Sequence, residues 1–309
     1  MNPMICRMTS NTLVSVIMNG RIIKGIAGFY YVKVESGDIY ECKAKGIFRK
    51  KRLRPLVGDY CEIEVTHEKD MEGNVVKILP RTNSLIRPEV ANIDLALVIF
   101  SLRAPEPHLY LLDRFLVSME KQGICSIVCF NKSDCLRDGD KEFFRGIYEK
   151  AGYEVLFVSA KTGAGMEEVK ERLKKKTTAL AGPSGVGKST TINYLSGKNA
   201  METGEISKKI ERGRHTTRHS EIIEIARGTY IMDTPGFTSL YVEGIEAHEL
   251  SDYFPEMKGL KGSCRFSGCA HIKEPGCAVK EALERGEIAH ERYEHYCMMY
   301  DEIKSNRKY

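Results

Sequence analysis

The sequence predicts a multidomain α/β protein. Three observations carry that prediction: short β-rich segments over residues 20–80, regular strand–helix alternation from Asp94 onward, and a tight Cys/His cluster followed by helices after about residue 246. In the first region, Ile22 to Ile26, Gly28 to Val34, Ile39 to Ala44, Asp59 to Val65 and Asn74 to Ile78 alternate in polarity or are rich in β-branched residues. Gly, Asp and Asn punctuate them. Short strands at nearly even spacing predict a small barrel, of which the OB type is the natural candidate. Between two of them runs Phe48-Arg49-Lys50-Lys51-Arg52-Leu53-Arg54, with five basic residues in seven. Such a run is either a solvated loop or a contact to a phosphate backbone, with Phe48 as an aromatic able to stack on a base.

After Pro80 the pattern changes. Asp94 to Phe100 is a continuous apolar run, as in a strand buried on both faces. Leu109, Leu112, Phe115, Leu116 and Met119 recur every three or four residues and mark one face of a helix that stops at Gly123. Ile124 to Phe130 is a second buried strand, Phe143 to Lys150 a helix, Glu154 to Val158 a strand and Glu167 to Lys175 a helix. Thr178 to Ala181 then leads through a glycine-rich turn into a helix from Lys188. Strands alternating with helices at this spacing predict a parallel sheet. Ala278 to Arg285 and Glu287 to Lys304 read as helices. The expected division is a lead of residues 1–18, which is disordered or a start-site extension, a barrel over 19–80, a strand–helix domain over 81–245 and a domain of the Cys/His cluster and helices over 246–309.

Composition sets limits. The chain has 309 residues, enough for two or three domains, and 47 Lys+Arg against 42 Asp+Glu leave a formal charge of +5, too small to identify a nucleic-acid partner. No apolar run approaches the roughly 18–20 residues that cross a bilayer. No signal peptide is read at the N-terminus, so a cytoplasmic protein without a membrane partner is expected. Ten cysteines in a chain long enough to build a core without disulfides are then buried thiols, metal ligands or redox groups.

Gly182-Pro183-Ser184-Gly185-Val186-Gly187-Lys188-Ser189 fits G-x-x-x-x-G-K-[ST], in the strand–turn–helix context that a phosphate loop demands. Its N–H groups and the helix N-terminus would cradle phosphate oxygens, Lys188 would reach the β- and γ-phosphates, and the Ser189 hydroxyl would ligate Mg²⁺. Asn131-Lys132-Ser133-Asp134 follows a buried strand and selects the base. A carboxylate at Asp134 accepts from guanine N1–H and the 2-amino group together. Adenine offers neither, and the acceptor would be left unpaired. Ser159-Ala160-Lys161 also follows a strand, and its N–H groups can reach guanine O6. Asp233-Thr234-Pro235-Gly236 ends the strand Tyr230–Met232. There Asp233 can hold Mg²⁺ through water and the Gly236 N–H can sense the γ-phosphate. Between these motifs lies Arg214-His215-Thr216-Thr217-Arg218-His219, in which Thr216 or Thr217 can complete the Mg²⁺ shell.

The order of these motifs is unusual. In Ras-like GTPases the phosphate loop comes first; here Asn-Lys-Ser-Asp and Ser-Ala-Lys precede it. The sequence therefore predicts a circularly permuted Ras-like P-loop GTPase domain. Phe237 stands where Ras-like enzymes carry the glutamine that orients the attacking water; either hydrolysis is intrinsically slow or another group acts, and His215 is the candidate for that group. Cys264-x4-Cys269-x-His271-x5-Cys277 supplies three thiolates and one imidazole, a closed structural Zn²⁺ set. Cys125 and Cys129 read as strand residues, Cys42 and Cys61 as barrel core, and Cys135 as partly exposed.

With these motifs in this order, the chain resembles the RsgA (YjeQ) family of circularly permuted, small-ribosomal-subunit-dependent GTPases, from about Asn19 to the C-terminus. The resemblance implies an OB-like barrel, a GTPase domain and a zinc-binding helical domain. It implies GTP hydrolysis to GDP stimulated by the 30S subunit, contact with 16S rRNA and a role in late 30S maturation, and it points to His215 as well. It carries the guanine site onto Asn131 to Asp134, the phosphate site onto Gly182 to Thr190, and the zinc ligands onto Cys264, Cys269, His271 and Cys277. Monomer is the default expectation. Two other classes differ in testable ways: a nucleic-acid-binding module with a vestigial GTPase would not turn over, and a nucleotide kinase would need a second-substrate lid.

Overall fold

The computed structural model of the chain describes residues 16–50, 53–85, 89–197, 221–233 and 244–306. In chain order the elements begin with strands β1 (Ile17–Ile26), β2 (Phe29–Val34), β3 (Ile39–Ala44), helix α1 (Ile47–Lys50), β4 (Tyr60–His67) and β5 (Glu72–Ile78). Next come β6 (Ser84–Leu85), β7 (Val90–Ala91), β8 (Leu95–Ser101), α2 (Leu109–Lys121), β9 (Ser126–Asn131), α3 (Asp140–Tyr148), β10 (Glu154–Phe157) and α4 (Met166–Leu173). Then follow β11 (Thr177–Ala181), α5 (Lys188–Ser196), β12 (Glu221–Ala226) and β13 (Thr229–Asp233). Helices α6 (Pro255–Lys258), α7 (Ala278–Glu284) and α8 (His290–Asn306) complete the described chain. Contacts divide the described residues into two compact units. One takes those of 1–94, 175–179 and 207–236; the other takes those of 95–174, 180–206 and 237–309.

The first unit is built on a closed barrel. β1 pairs with β2, β2 with β3, β3 in parallel with β5, β5 with β4, and β4 back onto β1. Closure covers the strand edges wherever both neighbours are paired; the second half of β1, beyond its pairing with β4 at Ile17–Arg21, takes β12 as its other neighbour. Alternate residues point inward, so Ile22, Val32, Cys42, Cys61, Ile63 and Val75 are all fully buried. Burial pushes the Cys42 and Cys61 thiols up to about 12, which makes them inert core groups. Phe48 departs from the sequence reading. It is 5% exposed, on the one-turn helix α1, and is a core residue rather than a base-stacking one. Arg54, from the same basic run, is exposed and pairs with Glu89. The β12–β13 hairpin and the start of β11 belong to this unit as well. Asp94 clamps that start: its N–H donates to Thr177 O (2.9 Å) and its Oδ2 accepts from Thr177 N–H (2.7 Å).

In the second unit β8, β9 and β10 run parallel in that order. Every residue of β8 is buried, as expected of a parallel strand covered on both faces. Cys129 lies inside β9 with its thiol raised to about 12 by burial, whereas Cys125 precedes the strand and is exposed, not a strand residue. On α2 the expected stripe is buried at Leu112, Phe115, Leu116 and Met119. Asp113 and Val117, outside that stripe, are buried too. Val117 joins a second apolar cluster with Leu250, Phe254, Val279, Tyr296 and Met299, so α2 is packed on both sides.

A buried ionic network crosses this second contact. The Arg292 guanidinium of α8 is fully buried, donates to both oxygens of Glu256 (2.7 and 3.1 Å) and to Asp113 Oδ1 (2.7 Å), and lies 4.5 Å from the Phe254 ring centre. The other oxygen of Asp113 meets His295 Nδ1 at 2.5 Å. Removing one member leaves the others buried without their counter-charge, a loss of about 3–5 kcal/mol. Arg292→Leu is therefore expected to lower the unfolding free energy by about that much. Urea titration followed by far-UV circular dichroism measures it, and a change below about 1 kcal/mol, the size of an exposed ion pair, would mean the network is solvated.

Candidate nucleotide site and metal centre

The phosphate-loop segment leaves β11 at Gly182 and enters α5 at Lys188. Two of its glycines are required by close approach. At Gly182 (φ +139°) a Cβ would stand 2.1 Å from Ile99 O, and at Gly187 (φ +96°) 2.3 Å from Asn131 Nδ2. The loop is thus wedged against the ends of β8 and β9. Lys188 starts α5 and its ammonium donates to Gly182 O (2.8 Å) and Pro183 O (2.6 Å), holding the charge over the loop's own backbone. Ser189 and Thr190 are half-buried in the first turn of α5, while Ser184 and Gly185 are exposed.

Asn131, the last residue of β9, joins three motifs. Its Nδ2 donates to Val186 O of the phosphate loop (2.8 Å) and its Oδ1 accepts from the Ala160 N–H (3.0 Å). The side chain is 3% exposed, so both bonds are sheltered from water. Lys132 adopts a left-handed conformation (φ +65°), and its ammonium donates to Gly185 O (3.0 Å) and to Ala104 O. Ser159, 1% exposed, donates through Oγ to Asp134 Oδ1 (2.7 Å) and accepts from Thr162 N–H (3.3 Å). Asp134 is exposed, and the Ser159 hydroxyl holds its carboxyl below the usual carboxylate range, so that at neutral pH it is an acceptor only. Ser133 N–H donates to Val158 O (2.9 Å), and Lys161 is exposed.

The structure therefore brings Asn131 to Asp134, Ser159 to Lys161 and Gly182 to Thr190 into one constellation. Sequence reasoning missed the segment after β8. Ala104 O receives Lys132, and Pro105 Cδ lies 3.7 Å from where a Cβ on Gly185 would sit. The only hint in the sequence was Pro105 and Pro107 closing a buried strand. Asp233 is the last residue of β13. His215, Thr216, Thr217 and Gly236 lie outside the described residues.

The second centre is the cysteine cluster. The ligand atoms of Cys264, Cys269, His271 and Cys277 all lie within 4.8 Å of one another. His271 Nδ1 is 3.5 Å from Cys264 Sγ and 3.4 Å from Cys277 Sγ, and the two sulfurs are 3.9 Å apart, too far for a disulfide. His271 reaches inward through a left-handed backbone (φ +61°). The loop is fixed from behind. Tyr293 OH donates to His271 O (2.7 Å), Tyr296 OH to Ala270 O (2.8 Å), and the Glu274 carboxylate accepts from the N–H groups of Ala270, Ile272 and Lys273. Three thiols and one imidazole converging on one point fit a tetrahedral Zn²⁺ ion.

The RsgA GTPase family model matches residues 78–243 and the RsgA N-terminal domain model residues 19–75. The chain belongs to the RsgA GTPase family. It is 54% identical to the "Small ribosomal subunit biogenesis GTPase RsgA" of Agathobacter rectalis over 94% of this chain and 100% of that one. It is 49% identical to the protein of the same name from Alkaliphilus metalliredigens over 94% and 99%. Among solved structures, YjeQ from Thermotoga maritima superposes with a TM-score of 0.80 at 36% identity, covering 93% of this chain and 99% of that one. YloQ, described as a circularly permuted GTPase, gives 0.77 at 38% identity over 94% and 96%. The chain is thus a GTP-hydrolysing enzyme of circularly permuted architecture behind an OB-like barrel, as its motif order predicts. In this RsgA GTPase the Asn131 bridge ties the Asn131–Asp134 and Ser159–Lys161 loops to the Gly182–Ser189 loop.

Proposed function

We propose that this GTPase acts in biogenesis of the small ribosomal subunit, binding the 30S particle and its 16S rRNA during late maturation. Nucleotide state governs binding and release, and the subunit stimulates hydrolysis. The names of its relatives support the ribosomal role. The observation that carries the nucleotide role is the Asn131 bridge between the phosphate loop and Ala160, with the Asp134 carboxylate held ionised beside it. Basic residues support RNA contact at Arg49 to Arg54 and at Lys208, Lys209, Arg212, Arg214 and Arg218. We assign the barrel to 19–80, the GTPase domain to 81–245 and the zinc-binding helical domain to 246–309. The protein is read as cytoplasmic and monomeric; no helix among the described residues is long and apolar enough to cross a membrane.

In the proposed mechanism Asp134, with Asn131 and Ser159 to Lys161 as its frame, selects guanine. The backbone of Gly182 to Gly187 and the Lys188 ammonium hold the phosphates. Ser189, Asp233 and one of Thr216 or Thr217 hold Mg²⁺. An ion held by these residues would supply positive charge against the charge developing on the phosphates. Gly236 senses the γ-phosphate. His215 accepts from the attacking water, since Phe237 cannot. Cys264, Cys269, His271 and Cys277 hold Zn²⁺ as a structural ion. The test is GTP turnover with and without purified 30S subunits, on wild type and on His215→Ala. Stimulation is expected for the wild type, with a loss of about 10²–10⁴-fold in the variant while GTP binding is retained. Equal turnover with and without subunits would remove the ribosomal reading. Wild-type rates in the variant would remove His215.

A further inference from the structure

The β12–β13 hairpin occupies a particular place in the chain. β12 begins at Glu221, directly after the segment that carries His215, Thr216 and Thr217, and β13 ends on Asp233. Residues on either side of the hairpin are thus the ones proposed to meet magnesium. Yet the contacts of this hairpin put it in one unit with the barrel.

Three ties hold it there. The first is a backbone pairing of β1 with β12 at Lys24 and Glu221, reinforced by an ion pair of 3.1 Å. Glu221 in turn pairs with Asp233 on β13, so Lys24, Glu221 and Asp233 form one cross-strand row over three adjacent strands. The second tie is the Lys33–Glu224 ion pair. The remaining oxygen of Glu224 accepts from Gly228 N–H (2.9 Å), so one carboxylate fastens the hairpin turn to β2. The third is Arg21. Its guanidinium lies between the rings of Tyr60 on β4 and Tyr230 on β13, 4.8 and 4.7 Å from their centres. It also donates to Gly58 O and Asn92 O, both at 3.3 Å, and the residue is 5% exposed. Tyr230 lies three residues before Asp233 on the same strand. A bulge in β1 between Ile22 and Lys24 separates the Arg21 contact from the Lys24 pairing, and bulges re-aim a strand.

A charged group buried this deeply is costly unless its partners are fixed, so these ties specify one register of the hairpin rather than a family of them. We propose that Arg21 and Lys33 of the barrel are positioning residues for Asp233: they set the register and pitch of β13, and through it the placement of the aspartate for the magnesium-dependent step. They act through the strand, and neither is among the residues proposed above to hold nucleotide or metal. The inference rests on the reading of Asp233 as a magnesium-side residue.

The experiment is GTP hydrolysis by the full chain as a function of magnesium concentration, with GDP affinity in excess EDTA as the companion measurement. Arg21→Met and Lys33→Met are expected to raise the half-saturating magnesium concentration by about 5- to 20-fold. GDP affinity in EDTA should stay within about twofold, because the groups that read guanine and phosphate lie elsewhere. The exchanged pair Lys33→Glu with Glu224→Lys should recover part of the magnesium dependence that Lys33→Glu alone loses, since it restores the ion pair but not the bond that Glu224 accepts from Gly228 N–H. Wild-type magnesium dependence in Arg21→Met and Lys33→Met, with Asp233→Asn shifted, would overturn the proposal. So would a loss of magnesium dependence and EDTA-phase GDP affinity together that the exchanged pair does not restore, since the ties would then only hold the fold. An unshifted Asp233→Asn would instead remove the magnesium role of Asp233 itself.

Discussion

Asp134→Asn is expected to lower affinity for GTP by about 10²–10⁴-fold and to return part of that loss for XTP. The wild-type carboxylate is an acceptor at both oxygens, and the Ser159 hydroxyl occupies only one lone pair of Oδ1. That leaves acceptor capacity for the N1–H and 2-amino donors of guanine. An asparagine of the same shape presents one oxygen and one NH₂, so one of the two guanine donors meets a donor. Two charge-assisted bonds become at most one neutral bond, which sets the magnitude. Xanthine carries a carbonyl at position 2, which the new NH₂ can satisfy. Titration of GTP and XTP against both proteins by calorimetry reads this out directly. Unchanged GTP affinity in the variant would mean that Asp134 does not read the base. The Ser159→Ala variant gives a graded control, since it removes the hydrogen bond that lowers the Asp134 pKa and leaves the carboxylate in place.

Removal of the metal from the cysteine cluster is expected to have the largest effect on stability. Cys277 is 1% exposed and is placed for two tasks, as a proposed zinc ligand and as the residue that opens α7. Around it Leu250, Phe254 and Tyr296 form the cluster that packs α8 against the rest of its unit. Structural zinc in small domains contributes about 10–16 kcal/mol of binding free energy, most of it expressed as folding. Even a quarter of that corresponds to a fall of roughly 5–16 °C in the melting temperature of a unit this size. Cys277→Ser, or prolonged treatment with a strong chelator, should therefore melt the loop around the site and then the packing of α7 and α8. Metal analysis should find one zinc per chain, and far-UV circular dichroism should show helix lost at temperatures where the untreated protein is intact. A purified protein with no bound zinc and a melting curve indifferent to chelators would rule the site out.

Much of this was legible in the sequence because it rests on local patterns. Alternation at period two gave the barrel strands, a period of three to four gave α2, and the glycines, Asn131 and Asp134 fell where fixed motifs place them. What escaped reading depends on partners far apart in the chain. Phe48 sits in a run that reads as solvated because five of its residues are basic, yet one helical turn carries its ring into the core. Asp113 and Arg292, 179 residues apart, have no periodic signature. An aspartate on a helix reads as its polar face until a second layer of helices is known to cover it. Asn131 was legible as a member of its motif, but its two partners, at Val186 and Ala160, appear only when three loops are brought together. The attachment of β12 to the barrel escaped for the same reason, since Lys33 on β2 and Glu224 on β12 stand 191 positions apart.

That attachment also has a meaning in time. The five barrel strands are complete once Ile78 has been made, but the neighbour of β1 at Lys24 does not exist until Glu221. At synthesis rates of about 5–20 residues per second, roughly 7–30 seconds separate the two events. During that interval the second half of β1 is a bare strand edge on a finished barrel, the kind of surface on which nascent chains pair wrongly. The residue that later meets Glu221 is a lysine. While it waits, a cation at the middle of an open edge is the simplest protection a strand can carry, and on completion the same side chain becomes half of an ion pair.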